Sequence, residues 1–196
     1  MKKAIIVLHE IYGINEFMQE QCQEFKNSGF AVFCPNMIGR PPFSYEESKE
    51  AYDYFMKNVG FEVHQEINIL VNTLTEKYDR VFIIGFSAGA TIAWRCCENV
   101  LCSGIISCYG SRIRDYADLT PASPTLLLFA KEDSFDVNEL ISKLQSKKRL
   151  SIVEFDAKHG FVDPFSNHFN PHQSKRAEEC IARFIQECSK RANLPL

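Results

Sequence analysis

A serine, an aspartate and a histidine stand in that order at the ends of three apolar runs. Ser87 lies in Gly85-Phe86-Ser87-Ala88-Gly89, Asp133 in Phe129-Ala130-Lys131-Glu132-Asp133-Ser134, and His159 in Phe155-Asp156-Ala157-Lys158-His159-Gly160-Phe161. A serine hydroxyl is a poor nucleophile unless a base removes its proton, and the base in turn needs a third group to hold its tautomer. In that chemistry Ser87 attacks a carbonyl carbon. His159 takes the proton and returns it to the leaving group, and Asp133 orients the imidazole and stabilises the imidazolium. Glu132 and Asp136 compete with Asp133 for the acid role, and Asp133 is favoured because it sits a short turn beyond a strand. Asp156 is too close in sequence to His159 to serve it. His64 falls in a helix, and His168 and His172 fall in a polar stretch where solvation is expected.

These residues need elements to present them. Val81-Phe82-Ile83-Ile84 reads as a buried parallel strand running into Gly-x-Ser-x-Gly, with a helix directly after it. Such a strand-to-helix turn is too tight for large flanking side chains and leaves the serine in strained backbone angles. It sets the backbone N–H of Ala88 and a helix N-terminus beside any oxyanion formed at Ser87. A second N–H is expected from the loop after an early strand. His9-Glu10-Ile11-Tyr12-Gly13 is placed for that, with Ile11 as donor. A carboxylate at Glu10 would oppose an oxyanion unless it is paired or turned away, and the plainest reading is a surface glutamate held by backbone N–H groups.

Along the chain, strands are expected at 3–8, 30–34, 81–84, 105–108, 124–129 and 150–155. Helices are expected after Asn15, from Ser44 to about Asn58, around Val63–Tyr78, after Ser87, around Val137–Leu144, and from Pro171 onward. Asn15 is a candidate N-cap, and Ser44-x-x-Glu47 is a capping box. The loops at 36–43 and 160–171 are the least regular parts. Alternating strands and helices argue for a parallel sheet with helices on both faces. At 196 residues, the whole of 1–196 is expected to form one domain.

Composition narrows the class. Apolar residues make up 45% of the chain and charged residues 24%, as in globular proteins, and a net charge of −3 gives no electrostatic case for nucleic acid. No stretch reaches transmembrane length, and Met1-Lys2-Lys3 with its apolar run reads as the first strand, not a signal peptide. The eight cysteines sit mostly in apolar runs, so reduced thiols and a cytoplasmic location are expected, with no zinc site and no cofactor.

His9-Glu10-Ile11-Tyr12-Gly13 followed by Asn15, the Gly85–Ala90 elbow, Tyr109-Gly110, Asp133 and His159-Gly160-Phe161 together resemble the dienelactone hydrolase family over nearly the whole chain. The resemblance implies a three-layer α/β-hydrolase fold. It would have a mostly parallel sheet of about six or seven strands and no large lid domain. It also implies a cofactor-free hydrolase of small esters or lactones. Two departures stand out. Founding members of the family use a cysteine nucleophile, held at rest by the glutamate that matches Glu10, where this chain has Ser87. They also carry an arginine shortly after the histidine, where this chain reads Val162-Asp163-Pro164-Phe165, which argues against dienelactone itself. Substrate-binding candidates are Glu10, Tyr12, Arg40, Tyr109 and Phe161. Arg40, Arg112 and Arg114 are each either an anion site or a surface arginine. Phe43, Tyr45 and Phe165 line a pocket or belong to the core. A small-ligand receptor on the same fold and an acyltransferase are the competing functions, and the oligomer is a monomer or a dimer.

Overall fold

In β1 (Lys3–Leu8), Ala4, Ile6 and Leu8 point to one side and Ile5 and Val7 to the other, and all five are buried. A strand apolar on both faces must be covered on both. The computed structural model describes residues 1–190, so the last six residues of the domain expected over 1–196 lie outside the described residues. After β1 come α1 (Glu16–Asn27), β2 (Ala31–Phe33), α2 (Ser48–Asn58), α3 (His64–Thr75), β3 (Arg80–Phe86) and α4 (Ala88–Arg95). The chain continues through β4 (Gly104–Cys108), β5 (Thr125–Glu132), α5 (Val137–Leu144), β6 (Leu150–Lys158) and α6 (Pro171–Lys190). Helices α1 and α6 pack on the Ile5 face, and α2 to α5 pack on the Ile6 face.

Among the described residues the sheet has six strands in the order β2-β1-β3-β4-β5-β6, and every pairing is parallel. The chain steps outward from β1 to β2, crosses back to β3, and then proceeds the other way. This reversal opens a crevice beyond the carboxyl ends of β1 and β3, where open α/β sheets place ligands. The architecture is the expected three-layer arrangement without a large lid domain. Among the described residues no helix is long and apolar enough to cross a membrane.

Local chemistry explains most boundaries. Asn15 caps α1 by accepting from Met18 N at 3.1 Å, and Asp136 caps α5 by accepting from Glu139 N at 3.0 Å. The Ser44–Glu47 capping box is present, but it opens a 3₁₀ turn (Tyr45–Glu47) ahead of α2 instead of one continuous helix. Strands β5 and β6 each run three residues past the expected ends at Phe129 and Phe155. Only Ala130 and Ala157 are apolar in the extension, and the four charged residues around them break the apolar run that marks a strand. The extension is held by ladder pairing, with a register shift between Ala130 and Glu132, and by the ion pairs Lys158–Glu132 at 3.8 Å and Lys131–Asp156 at 3.6 Å.

The turn from β3 into α4 is governed by sterics. A Cβ on Gly85 would lie 2.1 Å from Gly89 O, and one on Gly89 would lie 2.3 Å from Leu8 O. Helix α4 thus starts in backbone contact with the end of β1. We predict that Gly89→Ala lowers stability by about 3 kcal/mol or more, because backbone and not a flexible side chain must move. Gly29→Ala, in open space at φ +83, costs only ~1 kcal/mol for its left-handed backbone. Urea midpoints of the two variants check the contrast, and equal losses would contradict it.

Candidate active site

Ser87 occupies φ 51 and ψ −111, a region that favours glycine, directly between β3 and α4. Strain of this kind costs on the order of 1–3 kcal/mol and persists only where the surroundings enforce it. Here Gly85 and Gly89 let the backbone close tightly enough to do so. The result projects the Ser87 side chain off the sheet's carboxyl edge, with the first turn of α4 behind it.

Asp133 and His159 arrive from the neighbouring strand ends. Strands β5 and β6 pair as far as Glu132 and Lys158, the residues immediately before them, and His159 N donates to Glu132 O at 3.1 Å. Ser87 Oγ lies 3.0 Å from His159 Nε2, and His159 Nδ1 lies 2.7 Å from Asp133 Oδ2. Asp133 Oδ1 accepts from Ser134 N at 2.6 Å, which fixes the carboxylate. The rival acids are engaged elsewhere, since Asp136 caps α5 and Glu132 pairs with Lys158. Two hydrogen bonds in series from hydroxyl to imidazole to carboxylate can move a proton off the serine.

The electrostatics suit a base. Burial acts to lower the His159 pKa, but the hydrogen bond and charge of Asp133, helped by Glu10, outweigh it and raise the value above 6.5. For Asp133, burial acts to raise the pKa, and the bonds and charge of His159 with the Ser134 contacts hold it below the usual carboxylate value. Tyr109, fully buried at φ 46, packs edge-on against the His159 ring with centroids 4.9 Å apart.

Glu10 is not the surface glutamate expected. It is 5% exposed and lines the cavity above Ser87. Burial raises its pKa to about 7, with the nearby charge of Asp163 adding to the rise and His159 and Tyr109 opposing it. The Tyr109 hydroxyl faces the Glu10 carboxyl but finds no partner at full hydrogen-bond geometry. Asp163 is also buried. It accepts from Tyr45 Oη at 2.5 Å and from Phe165 N at 2.8 Å, and Tyr45 in turn accepts from Asn15 Nδ2 at 2.9 Å.

The cavity holds about 850 Å³ and takes in Ser87, Ala88, Asp133, His159, Glu10, Ile11 and Tyr12. Ala88 and Ile11, the expected N–H donors, therefore border the same space as the serine. Tyr45, Phe165 and Arg112 also line it, as does Thr91, whose buried Oγ1 has no hydrogen-bond partner among the described residues. Three sequence candidates for substrate contact lie elsewhere. Arg40 stacks its guanidinium on Phe43 at 3.8 Å and Tyr54 at 5.4 Å, outside the cavity, because loop 36–43 turns it onto those rings. Tyr109 and Phe161 are core residues below His159, with ring centroids 5.9 Å apart, and neither borders the cavity. Phe43 is likewise buried in the core, and Arg114 lies over Phe135. His168 is exposed as expected, yet its Nδ1 contacts His159 O at 2.9 Å. The sequence reading passed over His9, Asp163 and Thr91. His9 stands in the His9–Gly13 stretch that carries the family resemblance, as a polar residue set directly on an apolar strand end.

The parallel sheet, the strained serine turn and the strand-end cavity define an α/β-hydrolase fold. A model of the dienelactone hydrolase family matches residues 1–189, and the chain belongs to that family. It is 42% identical over 174 residues to the uncharacterized protein YczH of Bacillus subtilis, covering 86% of this chain and 85% of that one. It is 23% identical over 185 residues to carboxymethylenebutenolidase 1 of Cupriavidus pinatubonensis, covering 85% of this chain and 78% of that one. Among solved structures, P91, a dienelactone hydrolase-like promiscuous phosphotriesterase from metagenomic libraries, superposes with a TM-score of 0.72 at 16% identity, covering 96% of this chain and 87% of that one.

The geometry predicts that the His159 ring titrates above pH 6.5 in imidazole NMR and that Asp133→Asn moves its pKa down. An unchanged pKa in that variant would show that the 2.7 Å contact does not form in solution.

Proposed function

We propose that this protein is a serine hydrolase of small carboxylic esters or lactones. The observation that carries the reading is the hydrogen-bonded series Ser87–His159–Asp133, with contacts of 3.0 and 2.7 Å, opening on the cavity from a strained serine turn. Ser87 Oγ adds to the carbonyl carbon as its proton passes to His159 Nε2. The carbonyl oxygen becomes an oxyanion facing the backbone N–H groups of Ala88 and Ile11. Collapse breaks the bond to the alkoxy oxygen, which leaves with the proton from His159, and the acyl group stays on Ser87. Water, deprotonated by the same imidazole, then releases the acid and restores the serine. Asp133 keeps the proton on Nδ1 at rest and offsets the imidazolium charge.

The cavity wall narrows the substrate. Its carboxylates are Glu10, Glu46, Glu132, Asp133 and Asp163, and its two cations are already paired, Arg112 with Asp115 at 2.6 Å and Lys158 with Glu132 at 3.8 Å. An anionic substrate would meet repulsion with no free cation to answer it, so the reading is a neutral or cationic ester. Tyr12 and Tyr45, with ring centroids 4.8 Å apart, supply aromatic faces.

Ser87→Ala is expected to lower kcat/KM by at least about 10⁴-fold and to abolish labelling by a fluorophosphonate. Labelling that survives the substitution would place the nucleophile elsewhere. Across p-nitrophenyl esters matched in length, a terminal carboxylate should depress kcat/KM by about tenfold or more relative to a neutral or trimethylammonium end, the gap shrinking with salt. A preference for the carboxylate would sink the charge argument. The acid limb of kcat/KM should fall above pH 6.5, because the base is active only when neutral and its pKa is raised. Glu10→Gln should move that limb down, since a negative neighbour of the imidazolium is removed.

A further inference from the structure

His9 is fully buried at the end of β1, two residues before the proposed oxyanion donor, and it does not border the cavity. Its ring is held at both nitrogens. Nε2 lies 2.9 Å from Met37 N and Nδ1 lies 2.6 Å from Glu10 O. A backbone N–H can only donate, so Nε2 must be the unprotonated nitrogen, and the single ring proton sits on Nδ1 and is donated to the Glu10 carbonyl. Burial lowers the His9 pKa, which favours this neutral tautomer.

The consequence lies in the peptide bond. In a trans peptide the carbonyl of one residue and the N–H of the next point in opposite directions. A ring that anchors Glu10 C=O on the buried side therefore turns Ile11 N–H outward, toward the cavity that Ile11 borders. Gly13 N, 3.4 Å from the same carbonyl, adds a weaker hold. The other ring nitrogen ties this loop to loop 36–43, which is also joined by Phe43 N donating to Tyr12 O at 2.9 Å. Gly89 abuts Leu8 O and His9 O, so the backbone just ahead of the Glu10–Ile11 peptide is packed on the first turn of α4.

We propose that His9 is a positioning residue that aims the Ile11 N–H at the oxyanion. The inference rests on the serine hydrolase reading, and the two ring bonds can be separated. His9→Asn can place its side-chain N–H where Nδ1 was, retaining the donor to Glu10 O and losing the acceptor for Met37. His9→Gln can place its side-chain oxygen where Nε2 was, retaining the acceptor and losing the donor.

The experiment measures kcat and KM for a neutral p-nitrophenyl ester, inhibition by a boronic acid that mimics the tetrahedral state, and Tm, for wild type and both variants. His9→Gln should lose about 10²-fold in kcat and similarly in boronate affinity, with KM within about twofold. His9→Asn should stay within about fivefold of wild type in kcat although its Tm falls by as much. Equal kcat losses in both variants, tracking Tm, would overturn the proposal and leave His9 a packing residue. Crystal structures of the two variants supply a readout independent of turnover. The Glu10–Ile11 peptide should rotate in His9→Gln and hold its orientation in His9→Asn, and an unmoved peptide in both overturns the proposal. Wild type that neither hydrolyses esters nor labels with fluorophosphonate is a failure of the hydrolase reading itself, while the peptide orientation still reports on His9.

Discussion

Backbone-to-backbone contact between the end of β1 and the start of α4 is the constraint on which the rest depends. Gly89 abuts Leu8 O and His9 O, and Gly85 abuts Gly89 O, with no space for a Cβ at either place. Two segments far apart in sequence are thereby locked at ångström range. One carries Ser87 and the Ala88 N–H, and the other carries Glu10 and the Ile11 N–H. The strain at Ser87, φ 51, is tolerated because this contact leaves the chain no other path from strand to helix. The switch in strand order between β1 and β3 puts the contact where a crevice already exists.

The other half of the site comes from a different device. β5 and β6 are extended by the exposed Lys131, Glu132, Asp156 and Lys158 and by the buried alanines Ala130 and Ala157, and the ladder continues to Glu132 and Lys158. Pairing at those residues sets the next residue on each strand, Asp133 and His159, side by side. Edge-strand extensions of this kind gain little from apolar contact, and surface ion pairs such as Lys158–Glu132 are worth at most about 1 kcal/mol. The stiffness must come from the ladder hydrogen bonds and from the Tyr109 ring packed against the imidazole, itself backed by Phe161.

These two devices differ in how well a sequence reveals them. Gly85, Ser87 and Gly89 after four apolar residues announce a strand, a tight turn and a helix, because no Cβ fits at Gly85 or Gly89. Order along the chain and position at strand ends then single out Asp133 and His159. Hydrophobic periodicity could not show the last three residues of β5 and β6, since ladder pairing needs only backbone. Nor could it place Arg40, Tyr109 or Phe161. Which side of a loop faces the cavity is decided by packing, as when Phe43 and Tyr54 draw Arg40 away. Glu10 read as exposed because carboxylates seldom lie buried without a cation. Here the price of burial is met by a raised pKa.

That raised pKa bears on the choice of nucleophile. A thiolate nucleophile carries its negative charge before attack, and two buried carboxyls, Glu10 and Asp163, would push a thiol toward its protonated form. A serine hydroxyl is neutral until the carbonyl is attacked, so the same wall does not penalise its resting state. In the proposed reaction the difficulty moves to the transition state, where the oxyanion would form near Glu10. With its pKa at about 7, Glu10 is partly protonated near neutrality, and its opposition is weaker than that of a full charge. Its remaining charge favours the imidazolium that forms at the same moment, so the group that resists one charge supports the other.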